Sequence, residues 1–155
     1  MMPKCYQLIG VPASGKSTWI SNQDWVKDCV TVSTDEFVED WARECGSTYS
    51  EVFADYMPRA VELMAAKVVR AREAGKDIIW DQTSTTIASR GRKFNMLPNY
   101  EHIAIVFRTP EKRELERRLE SRPGKEIPAY VIEQMIDGWQ DPTEEEGFKE
   151  IWIAG

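Results

Sequence analysis

Residues 10–18, Gly10-Val11-Pro12-Ala13-Ser14-Gly15-Lys16-Ser17-Thr18, fit the phosphate-cradling pattern G-x-x-x-x-G-K-[ST]. Phosphate oxygens are bound well where several backbone N–H groups and the positive end of a helix converge on one hollow. Gly10 and Gly15 permit backbone shapes and close approaches that a Cβ would obstruct. Lys16 can reach the outer phosphates of a nucleotide, and the Ser17 hydroxyl can ligate Mg²⁺. The expected nucleotide-binding loop is therefore Gly10, Pro12, Ala13, Ser14, Gly15, Lys16, Ser17 and Thr18, with Ser17 as the metal ligand.

Two carboxylates stand where they could act on a second substrate. Asp35 follows the apolar run Cys29-Val30-Thr31-Val32, and Asp81 follows Asp77-Ile78-Ile79-Trp80. Ligands of an open parallel sheet bind at the carboxyl ends of its strands. A carboxylate there can take the proton of an attacking hydroxyl. Asp35 can also be read as the N-cap of a helix beginning near Glu36, a role open to Ser33 or Thr34 as well. Asp81 could orient Mg²⁺ through water or, with Thr83, hold an acceptor; alternatively Asp81 and Thr83 cap the next element.

Arg113 and Arg117 are four residues apart, as are Arg118 and Arg122. Like charges at that spacing weaken a helix unless an anion lies between them. Glu114 could neutralise Arg118, or the arginines could meet phosphate. Arg122 precedes the turn Pro123-Gly124-Lys125, so the segment of about 113–128 reads as a lid bearing Arg118 and Arg122.

These residues need an α/β scaffold. Apolar runs at Tyr6–Ile9, 29–32, 77–80, Ile103–Phe107 and Ile151–Ile153 read as strands of a parallel sheet with helices on both faces. Phe53, Met57, Val61, Met64, Val68 and Ala71 recur at helical spacing, ended by Gly75, with Pro58 at its start or at a kink. Thr109-Pro110 reads as the start of the arginine-bearing helix, and Pro128 as the start of another. The stretch 141–147 reads as a solvated turn, and the tryptophans as core or half-core.

Four segments together resemble the kinase domain of phage polynucleotide 5′-hydroxyl kinases. They are the loop through Trp19, Ser33-Thr34-Asp35-Glu36-Phe37, Trp80-Asp81-Gln82-Thr83, and the run from Arg118 to Pro128. The resemblance covers residues 5 to about 140. It implies transfer of the ATP γ-phosphoryl group to the 5′-hydroxyl of DNA or RNA, with Mg²⁺. It also implies that Lys16 and Ser17 hold phosphate and metal, that Asp35 is the general base, and that Arg122 belongs to a catalytic lid. The family's acceptor-binding arginine, three positions after the base, is Val38 in this chain. The Asp-x-Asp-Gly-Thr motif of the family's phosphatase domain does not occur. A single kinase domain over 1–155, without 3′-phosphatase activity, is the expectation.

Composition fits that expectation. The 155 residues are 42% hydrophobic and 30% charged, with a net charge of −6. Segment 90–125 carries +5 and the remainder −11, so a local basic region could meet nucleic acid despite an acidic whole. No apolar run suits a membrane span, and no N-terminal stretch suits a signal peptide. Cys5, Cys29 and Cys45 are unpaired by spacing and read as buried or half-buried thiols, and His102 as structural. A cytoplasmic location is expected. Two other activities share the loop: phosphorylation of a nucleoside, modified base or small metabolite, and nucleotide hydrolysis by a regulatory ATPase.

Overall fold

A computed structural model describes residues 2–154. Five strands, β1 (Lys4–Ile9), β2 (Val30–Val32), β3 (Ile78–Trp80), β4 (Glu101–Val106) and β5 (Phe148–Ile153), form one sheet in the order β2-β3-β1-β4-β5. Every pairing is parallel. Six helices connect them: α1 (Lys16–Ser21), α2 (Asp35–Cys45), α3 (Tyr49–Glu73), α4 (Ile87–Met96), α5 (Lys112–Glu120) and α6 (Ala129–Asp137).

The sheet is buried on both faces because successive side chains of each central strand point to opposite sides and nearly all are apolar. Cys5, Ile78 and Trp80 pack with Met64, Val68 and Ala71 of α3 on one face. Tyr6, Leu8, Ile79, Ile103 and Ile105 pack with Trp19 and Ile20 of α1 on the other. All five expected strands are present, with β1, β4 and β5 extended toward their starts.

Helix α3 departs from the expected stripe in an informative way. Pro58 lies inside the helix rather than at its start. Beyond it Ala60, Met64, Val68 and Ala71 face the sheet, whereas Val61 is exposed. Before it Phe53 and Met57 turn toward a cleft instead of the core. The arginine-bearing helix begins at Lys112 with Glu111 as its cap, so Thr109-Pro110 does not start it. Pro128 does cap α6.

The acidic C-terminal stretch is not simply solvated. Glu146 forms a buried ion pair with Arg90, with Nε to Oε1 at 2.8 Å. Arg90 is fully buried and also donates to the Ser84 carbonyl, fastening the loop that follows β3. Lys93 is buried too, so the basic segment is not one continuous surface patch. His102 is structural, as expected: it bonds Gln7 and the Leu97 carbonyl. Cys5 is buried and Cys29 half-buried, but Cys45 is exposed. Trp80 is core, while Trp25, Trp41 and Trp152 are exposed to more than a third. No helix among the described residues is long and apolar enough to cross a membrane.

Candidate active site

The carboxyl ends of β1, β2 and β3 open into one cleft of about 1320 Å³, floored by residues 12–18 of the loop and walled by the start of α3 and the segment after α5. The loop leaves β1 at Gly10, whose N–H donates to the Thr83 carbonyl at 3.0 Å. A Cβ at Gly10 would lie 2.5 Å from the Ser14 Oγ and 2.9 Å from the Phe107 Cβ, so only glycine fits. Ala13 and Gly15 take positive φ, 66° and 106°, which bends the loop back on itself. Among the described residues the amides of Gly15, Lys16, Ser17 and Thr18 have no carbonyl partner, as expected of the first-turn donors of a helix. Ser14 is different: its amide bonds the Val11 carbonyl, and its hydroxyl is buried without a partner among the described residues.

Lys16 lies along the loop rim. Its ammonium donates to the carbonyls of Gly10 (2.8 Å) and Val11 (2.9 Å), which leaves one of its three protons for a ligand. Burial lowers its pKa to about 8, opposed by Asp81 and Asp35 and reinforced by Arg122 and Lys125. Asp81 is shifted upward, first by burial, with Lys16 working against that shift. Its carboxylate accepts no hydrogen bond among the described residues.

Asp35 is the first residue of α2, and the capping job falls to Ser33, whose hydroxyl accepts from the Glu36 amide at 3.2 Å. The Asp35 carboxylate is thereby left for the cleft, on the same sheet edge as Lys16. Its Oδ1 accepts from the Tyr49 hydroxyl at 2.6 Å, and its Oδ2 from the Lys125 ammonium at 3.0 Å. Val38, by contrast, is fully buried and cannot line the cleft. Glu36 and Glu39 do line it, Glu36 paired with Lys67 and Glu39 reached by Lys125 at 3.4 Å.

The arginines divide their work. Glu114 pairs with both Arg117 and Arg118, relieving the like-charge repulsion along α5. Arg118 reaches further, its Nη1 donating to the Ala13 carbonyl at 3.0 Å. Arg122 lines the cleft near enough to Lys16 to help lower its pKa and near enough to Tyr49 to oppose the rise of the phenol's, and its side chain has no hydrogen-bond partner among the described residues.

Of the candidates from the sequence, Pro12 to Thr18, Asp35, Asp81, Thr83, Arg118 and Arg122 border one cleft, whereas Gly10 lies behind it and shapes the loop from below. Tyr49 was missed. Its signal was the run Thr48-x-x-Glu51, a capping box that starts α3 at Tyr49 rather than near Phe53.

Mg²⁺ suits the oxygen donors here. Ser17 supplies a hydroxyl and Asp81 an unengaged carboxylate beside Lys16. No group of three His, Cys, Asp or Glu gathers among the described residues, so nucleotide oxygens and water would complete the cation's shell.

A family model described as an AAA domain matches residues 7–142. Among solved structures, a chain of the Pnkp1/Rnl/Hen1 RNA repair complex aligns over 88% of this chain and 44% of its own, at 24% identity and TM-score 0.64. This chain thus spans less than half the length of that one. A provisionally assigned kinase from Chloroflexus aurantiacus aligns over 99% of this chain and 88% of its own, at 17% identity and TM-score 0.74. Shikimate kinase from Acinetobacter baumannii, in complex with shikimate, aligns over 100% and 85%, at 16% identity and TM-score 0.56. The fold is that of the P-loop kinases.

Proposed function

The chain belongs to the AAA domain family, and from that membership and its cleft we propose that it transfers the γ-phosphoryl group of ATP to a hydroxyl acceptor. One observation carries the reading. Asp35 and Lys16 share one cleft, the carboxylate close enough to favour the protonated Lys16, and Arg122 lines the same cleft. A phosphate-gripping ammonium facing a carboxylate is what transfer to a hydroxyl requires.

In this mechanism the free amides from Gly15 to Thr18 bind the phosphate chain, and Lys16 turns its remaining proton to the outer phosphates. Ser17 and Asp81 would hold Mg²⁺, which would supply neutralisation of the phosphate charge. Asp35 accepts the proton of the acceptor hydroxyl as its oxygen bonds to the γ-phosphorus and the bond to the β-phosphate oxygen breaks. Arg122 stabilises the charge on the group in transit. Catalysis is positioning and charge stabilisation.

For the acceptor we propose the 5′-hydroxyl of a polynucleotide. The sequence resemblance supports it, as does similarity to a chain of an RNA repair complex. Tyr49 and Phe53, which line the cleft, offer aromatic faces on which a terminal base can stack. A small hydroxylated acceptor is the second reading, favoured by buried Val38 and by the carboxylates of Glu36 and Glu39, which repel a polyanion.

Labelled ATP offered with 5′-hydroxyl DNA, 5′-hydroxyl RNA and a panel of nucleosides and small alcohols separates the two. Label on the oligonucleotides supports the first reading; label on the small compounds alone replaces it with the second. Rapid hydrolysis that ignores every acceptor overturns both. Asp35→Asn should cut turnover ~10²-fold or more while ATP affinity holds; collapse of ATP binding would make Asp35 a structural residue.

A further inference from the structure

We propose that Tyr49 and Lys125 are positioning residues for Asp35, so that the base takes its working orientation only when the lid is seated. The inference rests on the kinase reading above, in which Asp35 is the base.

The Asp35 side chain is 47% exposed and sits at the start of a helix, where its rotamers are otherwise free. Two donors from two other elements fix it. Tyr49, the first residue of α3, holds Oδ1, and Lys125, in the turn after α5, holds Oδ2. Each carboxylate oxygen keeps a second lone pair, so a pinned Asp35 can still accept a hydroxyl proton.

The two donors are themselves joined. The Lys125 ammonium lies 4.5 Å from the centre of the Tyr49 ring. The Ser50 amide donates to the Gly124 carbonyl at 3.0 Å, and the Glu126 amide to the Ser50 Oγ at 2.7 Å. Gly124 has φ 72°, and a Cβ there would lie 3.0 Å from the Thr48 Cβ. The lid turn is therefore clipped to the same first turn of α3 that carries Tyr49, and the capping box of Thr48 and Glu51 holds that turn in place. Burial and the bond to Asp35 push the Tyr49 phenol above its ordinary range, so it remains a donor. When the lid lifts, Lys125 leaves Oδ2 and Tyr49 loses its cation together. Transfer to stray water through an open site is thereby disfavoured.

Tyr49→Phe, Lys125→Met and Lys125→Arg, each alone and combined with Asp35→Asn, test this. Measured on each are kcat, KM for acceptor, ATP affinity by calorimetry and melting temperature. Tyr49→Phe and Lys125→Met should each lower kcat ~10-fold with ATP affinity within about twofold, and Lys125→Arg should recover most of the loss. In the Asp35→Asn background both losses should vanish, because there is no base left to orient. Losses that persist there in full, or single variants with wild-type kcat, overturn the proposal. If Asp35→Asn is itself as active as wild type, the base assignment has failed, and the inference with it. Should ATP be hydrolysed with no offered acceptor labelled, the kinase reading has failed, and the inference that rests on it fails too.

Discussion

The Arg118 guanidinium donates to the Ala13 carbonyl at 3.0 Å, tying the helix α5 to the crest of the 10–18 loop. Ala13 is one of two non-glycine residues with positive φ among the described residues. The arginine thus holds a bent stretch of backbone from above while Glu114 holds the arginine.

Arg118→Ala should weaken ATP binding about tenfold, since it removes both a cation and the clasp between lid and loop. Arg118→Lys should recover only part, because an ammonium keeps the charge but not the planar fork. Calorimetric titration of both variants with ATP checks this, with unchanged melting temperatures expected.

Lys16 gives a pH signature. Burial brings its pKa down to about 8, so the ligand-free ammonium loses its proton as pH rises through that value. Phosphate binds the protonated form and raises its pKa again, so binding takes up a proton. Affinity for ATP should be level below pH 7 and fall by up to about tenfold per pH unit above 8. Calorimetry in buffers of different ionisation enthalpy reads the proton uptake directly, and Lys16→Met should abolish it.

Gly10→Ala should damage the loop without touching its charges. The added methyl meets the Ser14 hydroxyl and the Phe107 Cβ inside van der Waals contact. Overpacking of this kind costs roughly 1–3 kcal/mol. A lower melting temperature together with at least tenfold weaker ATP binding is expected.

Glu146→Gln tests the support behind the site. It leaves the fully buried Arg90 without its counter-charge, at a cost of about 3–5 kcal/mol. Urea unfolding should show a clear drop in midpoint. Because Arg90 also holds the Ser84 carbonyl, kcat should fall as the loop bearing Asp81 and Thr83 loosens.

The loop that floors the cleft was legible because it is local: consecutive residues with two glycines and a lysine make it, and its bend follows from the positive φ of Ala13 and Gly15. The strands were legible for the same reason, each a short apolar run. Partnerships across long stretches of chain were not. Thr143, three positions earlier, marks Glu146 as its capping-box partner, but nothing local marks it as the partner of Arg90, 56 positions away. Lys125 stood inside the recognised lid segment, but its reach to Asp35, 90 positions earlier, depends on how the lid turn seats against α3. The stripe on α3 misled at Phe53 and Val61 because helical spacing marks an apolar face without saying whether it meets the sheet or the cleft.

The strand order has a metric consequence. Because β3 runs between β2 and β1, Asp81 stands midway between the carboxylate at the end of β2 and the loop at the end of β1. Two inter-strand gaps span ~10 Å, a length fixed by backbone hydrogen bonds rather than by any side chain. A reacting pair of molecules must fill that fixed interval, passing over Asp81 as over the middle mark of a ruler, so acceptors of different bulk must adjust on the outer wall, at α3 and the lid.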